Sequence, residues 1–208
     1  MIFQLDERLI FPDPGLAEPD GLLAIGGDLT SERLILAYKN GIFPWYSYNE
    51  PILWYSPHQR FVLFPQELKV SKSMRQILRS DKFEVTFDQD FEAVIHACAN
   101  VPREGQSGTW ITQEMENAYL KLHQQGKAHS VEVWQNNVLV GGLYGVELTR
   151  IFCGESMFSK VSNASKAALI ALCQQKNYEL IDCQMYTEHL ESLGAKMISR
   201  EEFERFLA

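Results

Sequence analysis

Two short stretches put carboxylates where a buried strand would carry only apolar side chains. In "ELIDCQ", Glu179 to Gln184, Asp182 sits among leucine, isoleucine and cysteine. Residues two apart on a strand share a face and lie about 6.5–7 Å apart. Leu180, Asp182 and Gln184 therefore point one way, and Ile181, Cys183 and Met185 the other. An acid and an amide side by side could orient an amine and draw a proton from it. A solvent-facing row, or an acid capping a loop, would use the same residues. In "RIFCGESMF" the alternation aligns Ile151, Cys153, Glu155 and Met157, so that Glu155 interrupts an apolar row. Burying an unpaired carboxylate is costly, so Glu155 needs a partner. A structural ion pair would satisfy it as well as a substrate would.

Two other groups could hold a nucleic acid. Between Lys69 and Lys82, five basic residues face one acidic residue, in a chain whose net charge is -8. Lys72, Arg75, Arg79 and Lys82 follow each other at helical spacing, with Met74, Ile77 and Leu78 for the buried side. Such a face suits a phosphate backbone, or simply solvent. The segment "FPWYSYNEPILWYSP" gathers Phe43, Trp45, Tyr46, Tyr48, Trp54 and Tyr55, and Trp110 stands in "SGTWIT". Aromatic rings in irregular segments stack on bases; they also fill cores.

Several chemistries leave no trace. The chain has no phosphate-cradling glycine loop, no H-E-x-x-H and no G-x-S-x-G. Its five histidines are scattered and its four cysteines show no C-x-x-C spacing. An enzyme built this way uses neither ATP nor a metal, and no cofactor is indicated. Its substrate must arrive already activated.

The elements that position these residues follow from periodicity. The first 65 residues hold seven of the eight prolines and form a loop-rich unit. They contain one helix, capped by Thr30 and stopped by Gly41, and short strands at "ILWYS" and "FVLF". We place a small N-terminal domain at 1–65 and a second domain at 66–208. The second begins with a helix in "SKSMRQILRS", a strand in "FEVTF" and a helix in "FEAVIHACA". A helix capped by Thr112, a hairpin about Asn136-Asn137 and the Glu155 strand follow. A helix opened by Ser162 or Asn163, the Asp182 strand, a short helix, a strand at "KMIS" and a closing helix complete it. The fold class is α+β, with a mixed sheet and helices on its faces.

Composition agrees with a globular protein: 46% of residues are hydrophobic and 22% charged. The acidic balance argues against nonspecific coating of nucleic acid. The N-terminus lacks the pattern of a secretory signal, and no apolar run is long enough for a membrane span. A soluble cytoplasmic protein is the simplest reading, and nothing demands more than a monomer.

The ordered segments "EPDGLLAIGGDL", "AYKNGIFPWYS", "PILWYSP", "GTWIT", "AHSVEVW", "VGGLYGV", "FCGESMFS", "NASKAAL", "LIDCQ" and "HLESLGA" resemble the leucyl/phenylalanyl-tRNA–protein transferase family over nearly the whole chain. The resemblance implies a small N-terminal domain joined to an N-acetyltransferase-like (GNAT-like) domain. It implies transfer of leucine, phenylalanine or methionine from aminoacyl-tRNA to proteins beginning with lysine or arginine, which marks them for N-end-rule degradation. By the same resemblance, Asp182 and Gln184 are the catalytic acid and its partner, and Glu155 binds the amino group of the transferred residue. Trp45 and Trp110 would hold the terminal adenosine. Leu143, Met157, Leu169 and Ile181 would line the side-chain pocket, and Lys72, Arg75, Arg79 and Lys82 the tRNA face.

The chain departs from some members at "MYTEH", Met185 to His189, where they carry "VLNDH", so no role passes to Thr187. Two rivals remain. An acyl-CoA N-acetyltransferase would need a glycine-rich turn before its helix, where this chain has "SKVSNASK". A noncatalytic tRNA-binding module would leave Glu155, Asp182 and Gln184 without a role.

Overall fold

Two sheets organise the chain. The structure, a computed structural model, describes residues 2–101 and 111–207. β1 (Phe3–Leu5), β2 (Leu22–Gly26), β3 (Phe43–Pro44) and β4 (Leu53–Tyr55) form a small sheet in the order β1-β2-β4-β3. The sequence pattern indicates β4 alone; the others are too short, or too broken by glycine and proline, to show alternation. Helix α1 (Ser31–Lys39) begins where the Thr30 hydroxyl accepts the Arg33 N–H. It stops at Gly41, whose φ of 69° favours glycine. Its buried side presents Leu34, Ala37 and Tyr38.

The second sheet has seven strands: β5 (Gln59–Leu63), β6 (Glu84–Phe87), β7 (Ala128–Gln135), β8 (Val138–Glu147), β9 (Ile151–Ser159), β10 (Leu180–Gln184) and β11 (Lys196–Ser199). Their order is β11-β5-β10-β9-β8-β7-β6. β9 and β10 pair in parallel and the other neighbours antiparallel, so the sheet is mixed as expected. The parallel pair requires a crossover, supplied by helix α5 (Ala164–Gln175). β7 and β8 turn at Asn136 and Asn137, with φ of 52° and 61°, as a tight hairpin demands.

The remaining helices are α2 (Lys72–Arg79), α3 (Phe91–Asn100), α4 (Gln113–Gln124), α6 (Glu188–Glu191) and α7 (Arg200–Leu207). α5 packs on one face of the large sheet through Ala167, Ala168 and Leu169. α3 and α4 cover the other face through Val94, Met115, Tyr119 and Leu122, in an apolar layer that continues into Tyr38, Phe43 and Trp54. No helix among the described residues is long and apolar enough to cross a membrane.

Three expectations are corrected. The even alternation of β9 breaks at a bulge: Tyr144 pairs Ser156 and Gly145 pairs Gly154, leaving Glu155 unopposed. The phase then flips, so Met157 packs with the cluster of Phe152, and Phe158 with that of Cys153. In α2, Leu78 is 36% exposed, not buried, and Lys82 lies past the helix, its ammonium over the Phe83 ring. At the start of α5, Asn163 occupies the capping position at φ 74° without a side-chain bond. The Ser159 hydroxyl accepts the Ser165 N–H instead.

Candidate active site

Parallel pairing between β9 and β10 ends at Cys153 and Asp182. Immediately beyond, each strand bulges. β9 does so at Glu155, and β10 at Cys183, because Asp182 pairs Val62 while Gln184 pairs Phe61. The strands part, and a cavity of about 520 Å³ opens past the carboxyl end of the pair. That volume suits a small organic group, and the location is a common one for ligands.

Leu143, Met157, Leu169 and Ile181 all line this cavity, with Phe152 and Leu172. Phe43 and Trp45 reach it from the N-terminal segment, and Trp45 packs 5.8 Å from the Tyr55 ring. The other aromatics divide between core and surface: Tyr46 and Trp54 are buried, and Tyr48 is exposed. Trp110 lies outside the described residues. The α2 cations do not line the cavity; Lys72, Arg75 and Arg79 are exposed to solvent.

Glu155, Asp182 and Gln184 line the same cavity and are joined by hydrogen bonds. The Gln184 backbone, at φ 61°, donates its N–H to Asp182 Oδ1 at 2.9 Å. The Gln184 side-chain amide donates to Glu155 Oε1 at 2.7 Å. Glu155 Oε2 accepts from the Tyr119 hydroxyl at 2.9 Å, and Tyr38 meets Tyr119 at 2.5 Å. The bulges thus bring one carboxylate on β9 and one amide on β10 into contact.

The two carboxylates have different company. Asp182 is fully buried and held by Arg60 of β5, Nε to Oδ1 and Nη2 to Oδ2, both at 2.9 Å. The Arg60 guanidinium lies between the Phe43 and Phe203 rings, 4.7 Å from each centroid. Among the described residues, Glu155 has only neutral donors within reach. Burial, reinforced by the Asp182 charge against these hydrogen bonds, raises its carboxyl to about 7. Burial and the Glu155 charge push the Tyr38 and Tyr119 hydroxyls well up, so both stay neutral donors.

Two neighbouring groups complete the lining. The Cys153 and Cys183 thiols are pushed well up by burial and by Asp182, so neither is a thiolate nucleophile. His189 also faces the cavity. Its Nε2 is buried with no hydrogen-bond partner among the described residues, and burial and Lys166 push its pKa down. A cavity with an apolar wall, a neutral amide and a carboxyl poised near neutrality can hold an apolar side chain and manage the protons of an amine.

Sequence reasoning missed Arg60, Tyr119 and Tyr38. A signal existed for Arg60, a lone cation before the apolar run "FVLF". Tyr38 and Tyr119 sit on ordinary apolar helix faces, where nothing sets them apart from core residues.

Residues 62–208 match the family described as leucyl/phenylalanyl-tRNA protein transferase, and residues 27–58 match its N-terminal domain. The chain is 58% identical over 205 residues to a leucyl/phenylalanyl-tRNA–protein transferase of Flavobacterium johnsoniae, covering 97% of each chain. It is 59% identical to the protein of that name in Syntrophus aciditrophicus, covering 97% of this chain and 86% of the relative. Likeness to solved structures is looser. A GCN5-related N-acetyltransferase from Kribbella flavida is 10% identical with a TM-score of 0.39, over 78% of this chain and 58% of that one.

Proposed function

Because this chain belongs to the leucyl/phenylalanyl-tRNA–protein transferase family, we propose that it moves leucine or phenylalanine from aminoacyl-tRNA onto a protein. Methionine is a further donor, and the acceptor is an N-terminal lysine or arginine, so that the product is marked for N-end-rule degradation in the cytoplasm. One observation carries this reading: an apolar cavity whose polar end holds Glu155, a carboxylate with no cation beside it among the described residues.

The donor's side chain occupies the space between Leu143, Met157, Leu169 and Ile181, and its α-amino group meets Glu155. Trp45, with Trp110, stacks on the terminal adenosine. Lys72, Arg75, Arg79 and Lys82 contact the tRNA backbone. Asp182 and Gln184 complete the polar end of the catalytic site, joined to Glu155 by hydrogen bonds. Residues 1–65 form a small N-terminal unit that supplies Trp45 and lends β5 to the large sheet, and residues 66–208 form the catalytic unit.

The chemistry needs no further activation, because the aminoacyl ester is already reactive toward an amine. A free α-amino group has a pKa of about 7.7–8.0, so the neutral form must be selected and placed against the ester carbonyl. Placement alone removes a large part of the barrier. The test incubates the protein with leucyl-tRNA and a peptide beginning with arginine, and reads the peptide mass. A peptide longer by one leucine is expected; no extended peptide from freshly charged tRNA contradicts the reading.

A further inference from the structure

We infer that Glu155 is the catalytic residue that takes the proton from the attacking amine, and that Arg60 is a positioning residue that holds Asp182 outside proton transfer. This rests on the aminoacyl-transfer reading above.

A carboxylate oxygen has about two acceptor positions. Asp182 Oδ1 fills both, with Arg60 Nε and the Gln184 backbone N–H, and Oδ2 spends one on Arg60 Nη2. Among the described residues Asp182 is the carboxylate that pairs Arg60, whose guanidinium is 2% exposed and lies over two rings. Glu155 differs in its company. Its oxygens accept from Gln184 and Tyr119, and Tyr38 also acts on the carboxyl; all three are neutral donors. The acceptor position left on Oε1 serves the amines. Among the described residues no cation depends on the Glu155 charge.

The groups facing Glu155 come from every neighbouring element. Tyr38 of α1, Tyr119 of α4 and Gln184 of β10 bond within its network. Asp182 of β10 acts on it by charge, Arg60 stands behind Asp182, Cys153 precedes it on β9, and Tyr144 of β8 packs against Tyr119. The Tyr38–Tyr119 bond runs in either direction. Tyr119 can therefore donate to a charged Glu155 or accept from a protonated one.

The step balances without a co-reactant. The neutral amine attacks the ester carbonyl carbon, the C–N bond forms, and the carbonyl electrons move to oxygen. Nitrogen releases its surplus proton to the Glu155 carboxylate. The C–O bond to the ribose then breaks, and Glu155 returns the proton to the ribose oxygen. The carboxylate is restored.

The experiment measures single-turnover transfer from bound leucyl-tRNA to saturating arginyl peptide, from about pH 5.5 to 9, in the full-length protein. Wild type is expected to show a rate that rises with pH. Tyr119→Phe removes a bond to the charged carboxylate and should move the rise upward by about half to one pH unit. The acceptor's own pKa cannot respond to Tyr119, so an unmoved rise overturns the proposal. Glu155→Gln should lose about 10²–10⁴-fold in rate and keep only the rise set by the acceptor amine, at about pH 7.7–8.0. Asp182→Asn should slow transfer and keep the rise, moved downward because the Asp182 charge no longer raises the Glu155 carboxyl. A Glu155→Gln variant that transfers at the wild-type rate, or an Asp182→Asn variant that abolishes the rise, also overturns the proposal. If Tyr119→Phe fails to fold by circular dichroism, Tyr38→Phe tests the same upward shift, since Tyr38 also acts on the Glu155 carboxyl. No transfer by wild type at any pH would instead defeat the aminoacyl-transfer reading itself.

Discussion

Arg60 and Asp182 stand 122 positions apart in the chain and meet through two 2.9 Å hydrogen bonds in the interior. The pair ties β5 to β10, and through Phe43 and Phe203 it ties the N-terminal segment and α7 to the same point. The Gln184 amide is oriented from Asp182, and Glu155 from Gln184.

Breaking this pair from one side should be worse than removing it. Arg60→Met or Asp182→Asn alone should cost about 3–5 kcal/mol, since each strands a buried partner. The double variant should be more stable than the sum of the two losses allows, by about 1–3 kcal/mol. Urea unfolding of the four proteins checks this; strict additivity would show that the pair does not act as a unit.

Glu155 should make stability depend on pH. Its carboxyl rises from 4.5 to about 7 on folding, so the native state binds the proton more tightly. The stabilisation of the protonated form is complete below about 4.5 and is lost as pH rises through about 7. Glu155→Gln removes that dependence. Its stability relative to wild type should therefore improve by about 2–3 kcal/mol between pH 5 and pH 8, measured by urea unfolding at both. An equal difference at the two pH values would contradict the burial argument.

The bulge that presents Glu155 relies on a close approach at Gly145. A Cβ there would lie 2.2 Å from the Cys153 carbonyl oxygen and 2.6 Å from the Phe152 ring. Gly145→Ala should lose about 1–3 kcal/mol of stability. It should also slow transfer in the fraction that remains folded, although Gly145 does not line the cavity. Thermal melts and single-turnover rates separate the two effects; a folded variant of normal rate would detach the bulge from catalysis.

If α2 binds the tRNA backbone, its charges release counterions on association. Replacing Arg75 and Arg79 by glutamine should lower the slope of log affinity against log salt by about 0.7–0.9 for each phosphate no longer neutralised. Filter binding of leucyl-tRNA over a salt series reads it. An unchanged slope would return this helix face to solvent.

The sequence carried most of this architecture, because helix and strand periods depend on near neighbours. Thr30, Thr112 and the Asn136-Asn137 turn are local signals, and all act as expected. The bulges at Glu155 and Cys183 are not local. A bulge exists only relative to a partner strand, so strict alternation put Met157 on the wrong face. Arg60 was illegible as a partner for the same reason: its meeting with Asp182 depends on β5 leaving the N-terminal segment for the large sheet. The cavity residues Leu143, Met157, Leu169 and Ile181 came from resemblance, since each looks like an ordinary core residue alone.

The central claim is that the cavity between β9 and β10 holds the donor residue with its amino group on Glu155. The most direct measurement is a crystal structure with a nonhydrolysable phenylalanyl-adenosine amide. The account predicts the phenyl ring among Leu143, Met157 and Ile181, the amino nitrogen about 3 Å from the Glu155 carboxylate, and the adenine on Trp45. An amino group seated on Asp182, or an aminoacyl group bound outside this cavity, would contradict it.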